Sequence, residues 1–179
     1  MGSDRVNIVA IDPGLTGAIA VFDMASARAS TVIYKMPSDR KVRKGTRILD
    51  VHALRELLGI VKPGSHVVLE HAHARPTDGG AQAFAFGRCY GAIEAAVKFS
   101  GLPYSYESPA KWKPAMLTAE ERELGKAGAV AALRRRYPRQ FDDGSLKVTH
   151  DQADAILIAL FHVEHRMKLP APTELCVSK

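Results

Sequence analysis

Two short apolar segments lie close together near the start of the chain, and their spacing restricts the folds that the chain can adopt. Val6 to Ala10 alternates and then runs apolar into Asp12-Pro13-Gly14, and Gly17 to Phe22 forms a second apolar run. Such runs, separated by Pro and Gly, are typical of strands joined by a tight turn. The pattern predicts a hairpin, and Ser30 to Met36 predicts a third strand that follows it.

The rest of the chain mixes helical and strand patterns. Asp50 is expected to cap a helix with its leucines on one face. The later predicted elements are a buried strand from His66 to Glu70, a helix from Ala81 to Phe99, a strand from Pro103 to Glu107, a helix from Thr118 to Tyr137 and a last helix that starts beside Asp151. This order predicts an α/β fold with a mixed sheet and helices packed on it.

Length and composition limit the organisation of the protein. A chain of 179 residues corresponds to one domain, which we expect over residues 1–169, with a flexible tail at 170–179 that has no periodicity. Two distant cysteines exclude a disulfide scaffold or a cysteine zinc site. Apolar runs are too short to cross a bilayer and no signal peptide is visible, so a cytoplasmic protein is expected.

Basic residues are concentrated in two segments. The formal net charge of +6 favours polyanionic partners. Residues 35–47 hold six Lys and Arg against one acidic residue, and residues 111–139 include Arg134, Arg135 and Arg136 in one block. Nucleic acid binding is one interpretation of these segments. Solvated surface charge is the other, and arginines in a last helical turn also complement the helix dipole.

Small residues recur every fourth position in the helix predicted from Ala81 to Phe99. They are Ala83, Gly87, Gly91 and Ala95. Residues four apart share a helix face, so this stripe permits close approach of another element. That element could be the domain's own sheet, or the same helix of a second copy in a two-fold dimer.

Four of the 19 acidic residues lie where predicted elements begin or end. Asp12 ends the first strand, Glu70 ends the strand after the first helix, and Asp151 and Asp154 start the last helix. Because Asp151 and Asp154 are three apart, they share one helix face. A single cluster contains all four carboxylates if this helix crosses the strand ends. Alternatively, Asp12 could belong to a simple turn and Asp151 could only stabilise the helix start.

A cluster of four carboxylates predicts a metal site. Neighbouring carboxylates repel one another strongly unless a cation lies among them. Oxygen ligands without cysteine favour Mg²⁺ or Mn²⁺ over Zn²⁺. Two such ions, about 3.5–4 Å apart, could activate a water and stabilise the departing oxygen when a phosphodiester is cleaved.

Three stretches, IDPGLTGAIAVFD, VVLEHA and HDQADAILIALFH, together resemble the RuvC-type Holliday junction resolvases, nearest to their phage and organelle-like branch. The resemblance extends from about Val6 to His162. It implies a ribonuclease H-like fold, with three antiparallel strands followed by parallel strands, in a homodimer without a nucleotide cofactor or a membrane partner. It further implies two Mg²⁺ per active site, with Mn²⁺ able to substitute, and symmetric nicks across a four-way DNA junction that leave 5′-phosphates. A bacterial or phage origin follows from the same resemblance.

The resemblance also implies residue roles. Asp12, Glu70, Asp151 and Asp154 take the four metal-binding positions, with Lys126 and His150 assisting catalysis. Together with the basic segments, it gives these expected DNA contacts: Lys113, Lys126, His73, Arg75, Lys41, Arg43, Lys44, Arg134 and Arg135. Trp112 could stack on DNA or pack in the core. His73 occupies the position of the family's aromatic wedge, so either His73 or the loop at 75–80 could open the junction.

Three other functions stay open. DPGLTG also resembles the phosphate loop of actin-like and sugar-kinase ATPases, although those proteins need two related halves. A non-catalytic junction-binding protein would keep the fold without the chemistry, although all four acids are present. A nuclease of the same fold could act on forks or RNA–DNA hybrids, and sequence does not separate that function from junction cleavage.

Overall fold

The computed structural model describes residues 7–24, 28–42, 46–74 and 76–178. Its strands are β1 (Asn7–Asp12), β2 (Ala18–Asp23), β3 (Arg28–Lys35), β4 (Ser38–Val42), β5 (Thr46–Leu49), β6 (His66–Glu70), β7 (Tyr104–Glu107) and β8 (Glu174–Ser178). Its helices are α1 (Val51–Gly59), α2 (Gly80–Phe99), α3 (Pro109–Met116), α4 (Ala119–Glu123), α5 (Gly128–Arg136), α6 (Pro138–Asp142) and α7 (His150–Phe161). Within these ranges, no helix has both the length and the apolar character that crossing a bilayer requires.

Six strands form the central sheet in the order β7-β6-β1-β2-β3-β8, and β4 and β5 form a separate hairpin. The first three strands pair antiparallel, while β6 runs parallel to β1 and β7 runs parallel to β6. This mixed sheet, with helices packed on it, confirms the predicted fold class.

Helices cover both faces of the sheet because alternate strand residues point to opposite sides. In β1, Ile8 and Ala10 belong to a core that includes the apolar side chains of α3, α5 and α7. Val9 and Ile11 belong to a second core with α1 and α2. All four residues are fully buried. The sheet is therefore the middle layer of three.

Local capping signals predict helix starts correctly. The Asp50 carboxylate accepts a hydrogen bond from the amide of Ala53, 2.9 Å away, and α1 begins at Val51. At α7, Thr149 and Gln152 form a reciprocal capping box between their side chains and backbone amides. These bonds satisfy amides that otherwise lack a partner in the first turn. The start of α7 is fixed by its own sequence.

The single helix predicted from Thr118 to Tyr137 is wrong. Its capping box is present, but α4 ends at Glu123 and a 3₁₀ turn, Gly125–Ala127, separates it from α5. Gly125 has φ 58°, a left-handed conformation that glycine adopts without strain. A Cβ on Gly128 would lie 2.0 Å from the carbonyl oxygen of Glu121, so only glycine permits this close approach. The two glycines allow α5 to fold back onto α4.

The tail predicted to be flexible contains an ordered strand. β8 pairs parallel with β3 at the edge of the sheet, and Leu175 is buried. The Gln140 side chain accepts from the Leu175 amide and donates to the Leu175 carbonyl, at 2.8 and 2.7 Å. These tertiary contacts hold a segment that has no periodicity of its own, so loose attachment is wrong for residues 174–178.

Two elements are not anticipated by the sequence patterns. The basic segment after β3, for which no strand is predicted, forms the β4–β5 hairpin. After β7, Ser108 caps α3 by accepting from the Ala110 amide at 3.3 Å, and Pro109 occupies the first helical position. Helix α3 is short and contains Pro114, so its apolar periodicity is weak. Both elements lie beside the site described next.

Candidate active site

Asp12 and Glu70 are the last residues of two neighbouring parallel strands, β1 and β6. Ile11 pairs with Leu69, so the two acids lie side by side at one edge of the sheet. Val68, two residues before Glu70, packs in the core on the α7 side. Because strand side chains alternate, Glu70 and Asp12 also face the α7 side.

Asp151 and Asp154 lie on the first two turns of α7, which packs across β1 and β2. The apolar run after Asp154 is buried on the sheet, with Ile156, Leu157 and Ile158 fully inaccessible. This burial anchors the helix. It fixes the position of the two acids, since Asp154 directly precedes the apolar run and Asp151 lies about one turn earlier.

The four acids interact electrostatically. The pKa of Asp12 is raised well above its usual value by burial, and then by the neighbouring charges of Glu70, Asp154 and Asp151. Four carboxylates from three separate elements therefore act on one another, as the sequence-based hypothesis requires.

Two of the other acids have perturbed pKa values as well. Burial, followed by the charges of Glu70 and Asp151, raises the pKa of Asp154 to about 6, although Lys113 opposes the rise. The pKa of Glu70 is raised mainly by burial and held down by a hydrogen bond from Trp112 and by the charge of Lys113. Such perturbed carboxyl groups concentrate at functional sites.

The acids do not form a coordination shell as they stand. In the part of the chain that the structure describes, no three side chains of His, Cys, Asp or Glu are arranged to hold one metal ion. The cluster therefore fits a divalent cation by its donor chemistry and its accumulated negative charge, and not by a preformed geometry.

Trp112 is fully buried and packs in the core, so stacking of this ring on DNA is wrong. Its indole Nε1 donates a hydrogen bond to Glu70 Oε1 at 2.8 Å. The bond fixes the orientation of a carboxylate in the cluster. Sequence reasoning missed this function, and the available signal was that a buried tryptophan needs an acceptor for its N–H.

Lys113 lies beside the cluster, as the sequence predicts. Its ammonium is 5.2 Å from the centre of the Trp112 ring, and its charge lowers the pKa values of Asp12, Glu70 and Asp154. The side chain is half-buried. Helix α3 therefore brings one cation to the four acids.

His150 and Lys126 differ in their relation to the acids. His150 Nε2 lies 3.2 Å from Asp151 Oδ1, with the imidazole 40% exposed, so it borders the cluster on its solvent side. Lys126 is exposed on the 3₁₀ turn between α4 and α5. Its assignment to the catalytic group stays a prediction.

Two arginines predicted to bind DNA make intramolecular contacts, and their binding of DNA stays a prediction. Arg135 Nε donates to Glu121 Oε1 at 2.8 Å, and its Nη2 donates to the Met116 carbonyl at 3.1 Å. Arg134 lies over the Phe141 ring, 5.1 Å from its centre. Because its guanidinium is paired, Arg135 ties α5 to α3 and α4, and this contact explains it without DNA.

The predicted junction-opening residues lie on the segment after Glu70. His73 is exposed and its ring lies edge-on to His71, with ring centres 4.4 Å apart. Of the remaining predicted contacts, Lys41 lies on β4, while three lie outside the described residues: Arg43, Lys44 and Arg75. Their roles stay predictions.

Comparison of whole structures places this architecture among known folds. No family profile matches the sequence, and no curated protein matches it significantly. The complex of Thermus thermophilus RuvC with a Holliday junction substrate matches with a TM-score of 0.54 and 23% identity, over 91% of this chain and 96% of that chain. Another structure of Thermus thermophilus RuvC matches with a TM-score of 0.53 and 20% identity, over 93% and 99% of the two chains.

A third match is the yeast mitochondrial Holliday junction resolvase Ydc2, with a TM-score of 0.45 and 12% identity, over 87% of this chain and 76% of that chain. The class defined by the architecture is the ribonuclease H-like fold, with an acidic cluster at one edge of its mixed sheet. Within that class the chain has the fold of RuvC over nearly its whole length.

Proposed function

We propose that the protein is a divalent-metal-dependent endonuclease that cuts four-way DNA junctions. The observation that carries this proposal is the electrostatic coupling of Asp12 to Glu70, Asp151 and Asp154 at one edge of the sheet. Four interacting carboxylates are costly to a metal-free protein, and their cost is offset when they ligate cations. RuvC, whose fold this chain shares, is known in complex with a junction substrate.

The residues that would hold the metal are Asp12, Glu70, Asp151 and Asp154. Their oxygen donors suit Mg²⁺, with Mn²⁺ as a substitute. Two bound ions would supply an activated water and would stabilise the charge that develops on the departing oxygen. Bound cations would neutralise the mutual repulsion of the four carboxylates.

Residues around the acids prepare the DNA and the ligands. Lys113 supplies a positive charge at the cluster, where it can hold the scissile phosphate. Trp112 keeps the Glu70 carboxylate in one orientation. His150, which contacts Asp151, is proposed to assist proton transfer. Lys126 is proposed to approach the phosphate from the 3₁₀ turn.

We propose a homodimer that makes symmetric paired nicks and leaves 5′-phosphates. The exposed face of α2 supports the dimer. Gly87 and Gly91 are exposed, and a Cβ at either position would meet no other atom within 4 Å. Packing of these two glycines against the domain's own sheet is therefore wrong. An uncovered face of small residues lets the same helix of a second copy approach closely.

The experiment that tests the function is cleavage of a four-way junction with each strand labelled in turn. In Mg²⁺ we expect two symmetric nicks with ligatable 5′-phosphates, and none in EDTA. A replication fork and an RNA–DNA hybrid of the same sequence serve as competing substrates. Preferential cleavage of either would replace junction resolution by the corresponding nuclease activity.

Two variants separate chemistry from binding. Asp151→Asn keeps the side-chain shape but removes one charged ligand, so we expect lost cleavage with junction binding kept. Asp142→Asn, an exposed change on α6, is the matched control and is expected to cleave normally. Equal cleavage by Asp151→Asn and the control would remove Asp151 from the site. ATP hydrolysis without DNA would favour the ATPase instead.

A further inference from the structure

A groove of about 430 Å³ opens beside Asp151 and continues away from the acidic cluster. Its walls come from the turn between β1 and β2, the end of β3, the β4–β5 hairpin and the first turn of α7. Two exposed cations line it, Lys35 and Arg47, together with the hydroxyl-bearing residues Thr16 and Ser38. The groove is therefore acidic at the end next to the cluster and basic further out.

The sheet register explains why the groove and the acids are adjacent. Asp12 pairs with Ala18 on β2, and Ala18 pairs with Lys35 on β3. Glu70, Asp12, Ala18 and Lys35 therefore form one row across the sheet, and paired residues point to the same face. Ala18, between Asp12 and Lys35, is buried and lines the groove. Two strand spacings, about 10 Å, separate Lys35 from Asp12.

The charges of Lys35 and Arg47 are available to a ligand. Several others are committed to carboxylates: Arg135 to Glu121, Arg136 to Glu164, Arg166 to Glu107, Lys62 to Asp23 and Lys98 to Glu94. Within the described part of the chain, neither Lys35 nor Arg47 has an ion-pair partner. An unpaired cation in a groove keeps its full attraction for an anionic ligand.

We propose that this groove is a phosphate subsite for the DNA strand that is cut, with Lys35 and Arg47 as its phosphate-contacting residues. The inference rests on the proposed nuclease function and adds to it the direction in which the cut DNA strand crosses the site. Lys113 stands on the β6 side of Asp12, and Lys35 stands on the β3 side. The DNA strand that is cut therefore passes Asp12 from the Lys113 side to the Lys35 side. Its backbone beyond the scissile phosphate enters the groove.

The distance places the contact close to the cut. A DNA strand rises about 3.4 Å per nucleotide, so a span of about 10 Å, less the reach of the lysine side chain, corresponds to about one to three nucleotides. Contacts to phosphates position the strand and carry no base information. The subsite is expected to set the position of the cut strand without changing sequence preference.

The first test is the salt dependence of junction binding in EDTA. Lys35→Gln with Arg47→Gln is compared with Lys168→Gln with Arg139→Gln, which removes the same charge from exposed positions outside the groove. Each phosphate contact adds about 0.9 to the slope of log affinity against log salt, so the groove pair is expected to reduce the slope by about 1.8. The control pair is expected to leave the slope near that of wild type. Equal slopes for the two pairs overturn the subsite.

The second test locates the contact. Junctions carry one neutral methylphosphonate at successive positions within three nucleotides of the cut. At one of these positions, we expect the neutral linkage to slow cleavage by wild type and by the control variant about tenfold relative to the unmodified junction. The Lys35→Gln, Arg47→Gln double variant is expected to cleave the modified and unmodified junctions at the same rate. Lys35→Arg, which keeps the charge, is expected to behave as wild type. If the neutral linkage slows the double variant as much as it slows wild type, the proposal is overturned.

The two tests also separate this subsite from the proposed function. Absence of cleavage by wild type in Mg²⁺ contradicts the nuclease, while the salt slope in EDTA still decides whether the groove binds phosphate. If wild type cleaves the junction normally and the double variant has the same salt slope as wild type, the nuclease function is supported and only the subsite is overturned.

Discussion

Asp154 shows how the acidic cluster affects the stability of the whole chain. Folding raises the pKa of this carboxyl from 3.8 to about 6, through burial and then the charges of Glu70 and Asp151. The native state therefore holds the proton more tightly than the unfolded chain does. The stability that this gives is complete below pH 3.8, and it is lost as the pH rises through about 6.

Asp154→Asn removes the charge that is unfavourable in the native state. In EDTA at pH 8, we expect the variant to be more stable than wild type by a free energy on the order of 2–3 kcal/mol, since one pKa unit corresponds to about 1.4 kcal/mol. Near pH 3.5 the difference is expected to vanish. Urea denaturation at both pH values measures it, with Asp142→Asn as control. A variant less stable than wild type at pH 8 would show that Asp154 is structural.

The hydrogen bond from Trp112 to Glu70 gives a second prediction. Trp112→Phe keeps a buried aromatic ring but removes the donor, so Glu70 loses its fixed orientation. We expect single-turnover cleavage at saturating junction to slow by about tenfold, the equivalent of one hydrogen bond of roughly 1.4 kcal/mol, with junction affinity unchanged. Tyr137→Phe removes another buried hydrogen bond, to the Pro172 carbonyl, and is expected to leave the rate unchanged. Equal slowing in both variants would indicate a general loss of packing.

Elements whose signals are local could be predicted from the sequence. Caps at Asp50, Thr118 and Thr149 lie within three residues of the amides that they satisfy, so each helix start is readable from a few letters. The four acids could be predicted because they lie at element ends. The break at Gly125 could not, since Gly128 is required by the approach of the Glu121 carbonyl, a contact made only in the folded chain.

Helix α3 and strand β8 were not predicted from the sequence, because they too depend on contacts made only in the folded chain. The role of Trp112 depends on Glu70, 42 residues away, and β8 depends on β3 at the other end of the chain. The sequence predicts a DNA contact for Arg135 because no pattern near this residue indicates its partner, Glu121 on α4. Sequence patterns indicate the periodicity of helices and strands and the residues at which they end. They do not indicate which residues far apart in the chain come into contact.

Strand β8 is expected to stabilise the sheet edge. Leu175 is 1% exposed and packs in the core that includes α7. Leu175→Ala should lower the free energy of unfolding by about 2–3 kcal/mol, the usual cost of emptying a leucine site at this depth. Cys176→Ala, an exposed neighbour on the same strand, is the control and should change it little. Denaturant unfolding that does not distinguish the two variants would show that the tail is only loosely attached.

The described part of the molecule presents an exposed face of small residues on α2, and an acidic cluster at the carboxyl ends of β1 and β6. A junction has two strands to cut, so a second copy of the chain supplies the second cluster in the proposed mechanism. The net charge of +6 favours association with DNA, although Arg135, Arg136 and Arg166 are paired with carboxylates. In this proposal, specificity for a four-way substrate would come from the dimer and not from either copy alone.

Gly91→Arg tests the dimer. The position is exposed and open, so the monomer fold should tolerate the side chain, whereas a closely packed two-fold contact should not. We expect sedimentation to show a shift from dimer to monomer and the paired nicks to become uncoupled. Gly59→Arg, at an exposed glycine of α1 with equally open surroundings, should remain dimeric. If both variants sediment as wild type does, α2 is not the interface.

The most direct measurement of the metal site is anomalous diffraction from crystals grown with Mn²⁺. The account predicts ordered ions among Asp12, Glu70, Asp151 and Asp154, with these carboxylate oxygens as ligands and loss of ion density in crystals of Asp154→Asn. Wild-type crystals at saturating Mn²⁺ with no ion among the four acids would contradict a metal-dependent nuclease.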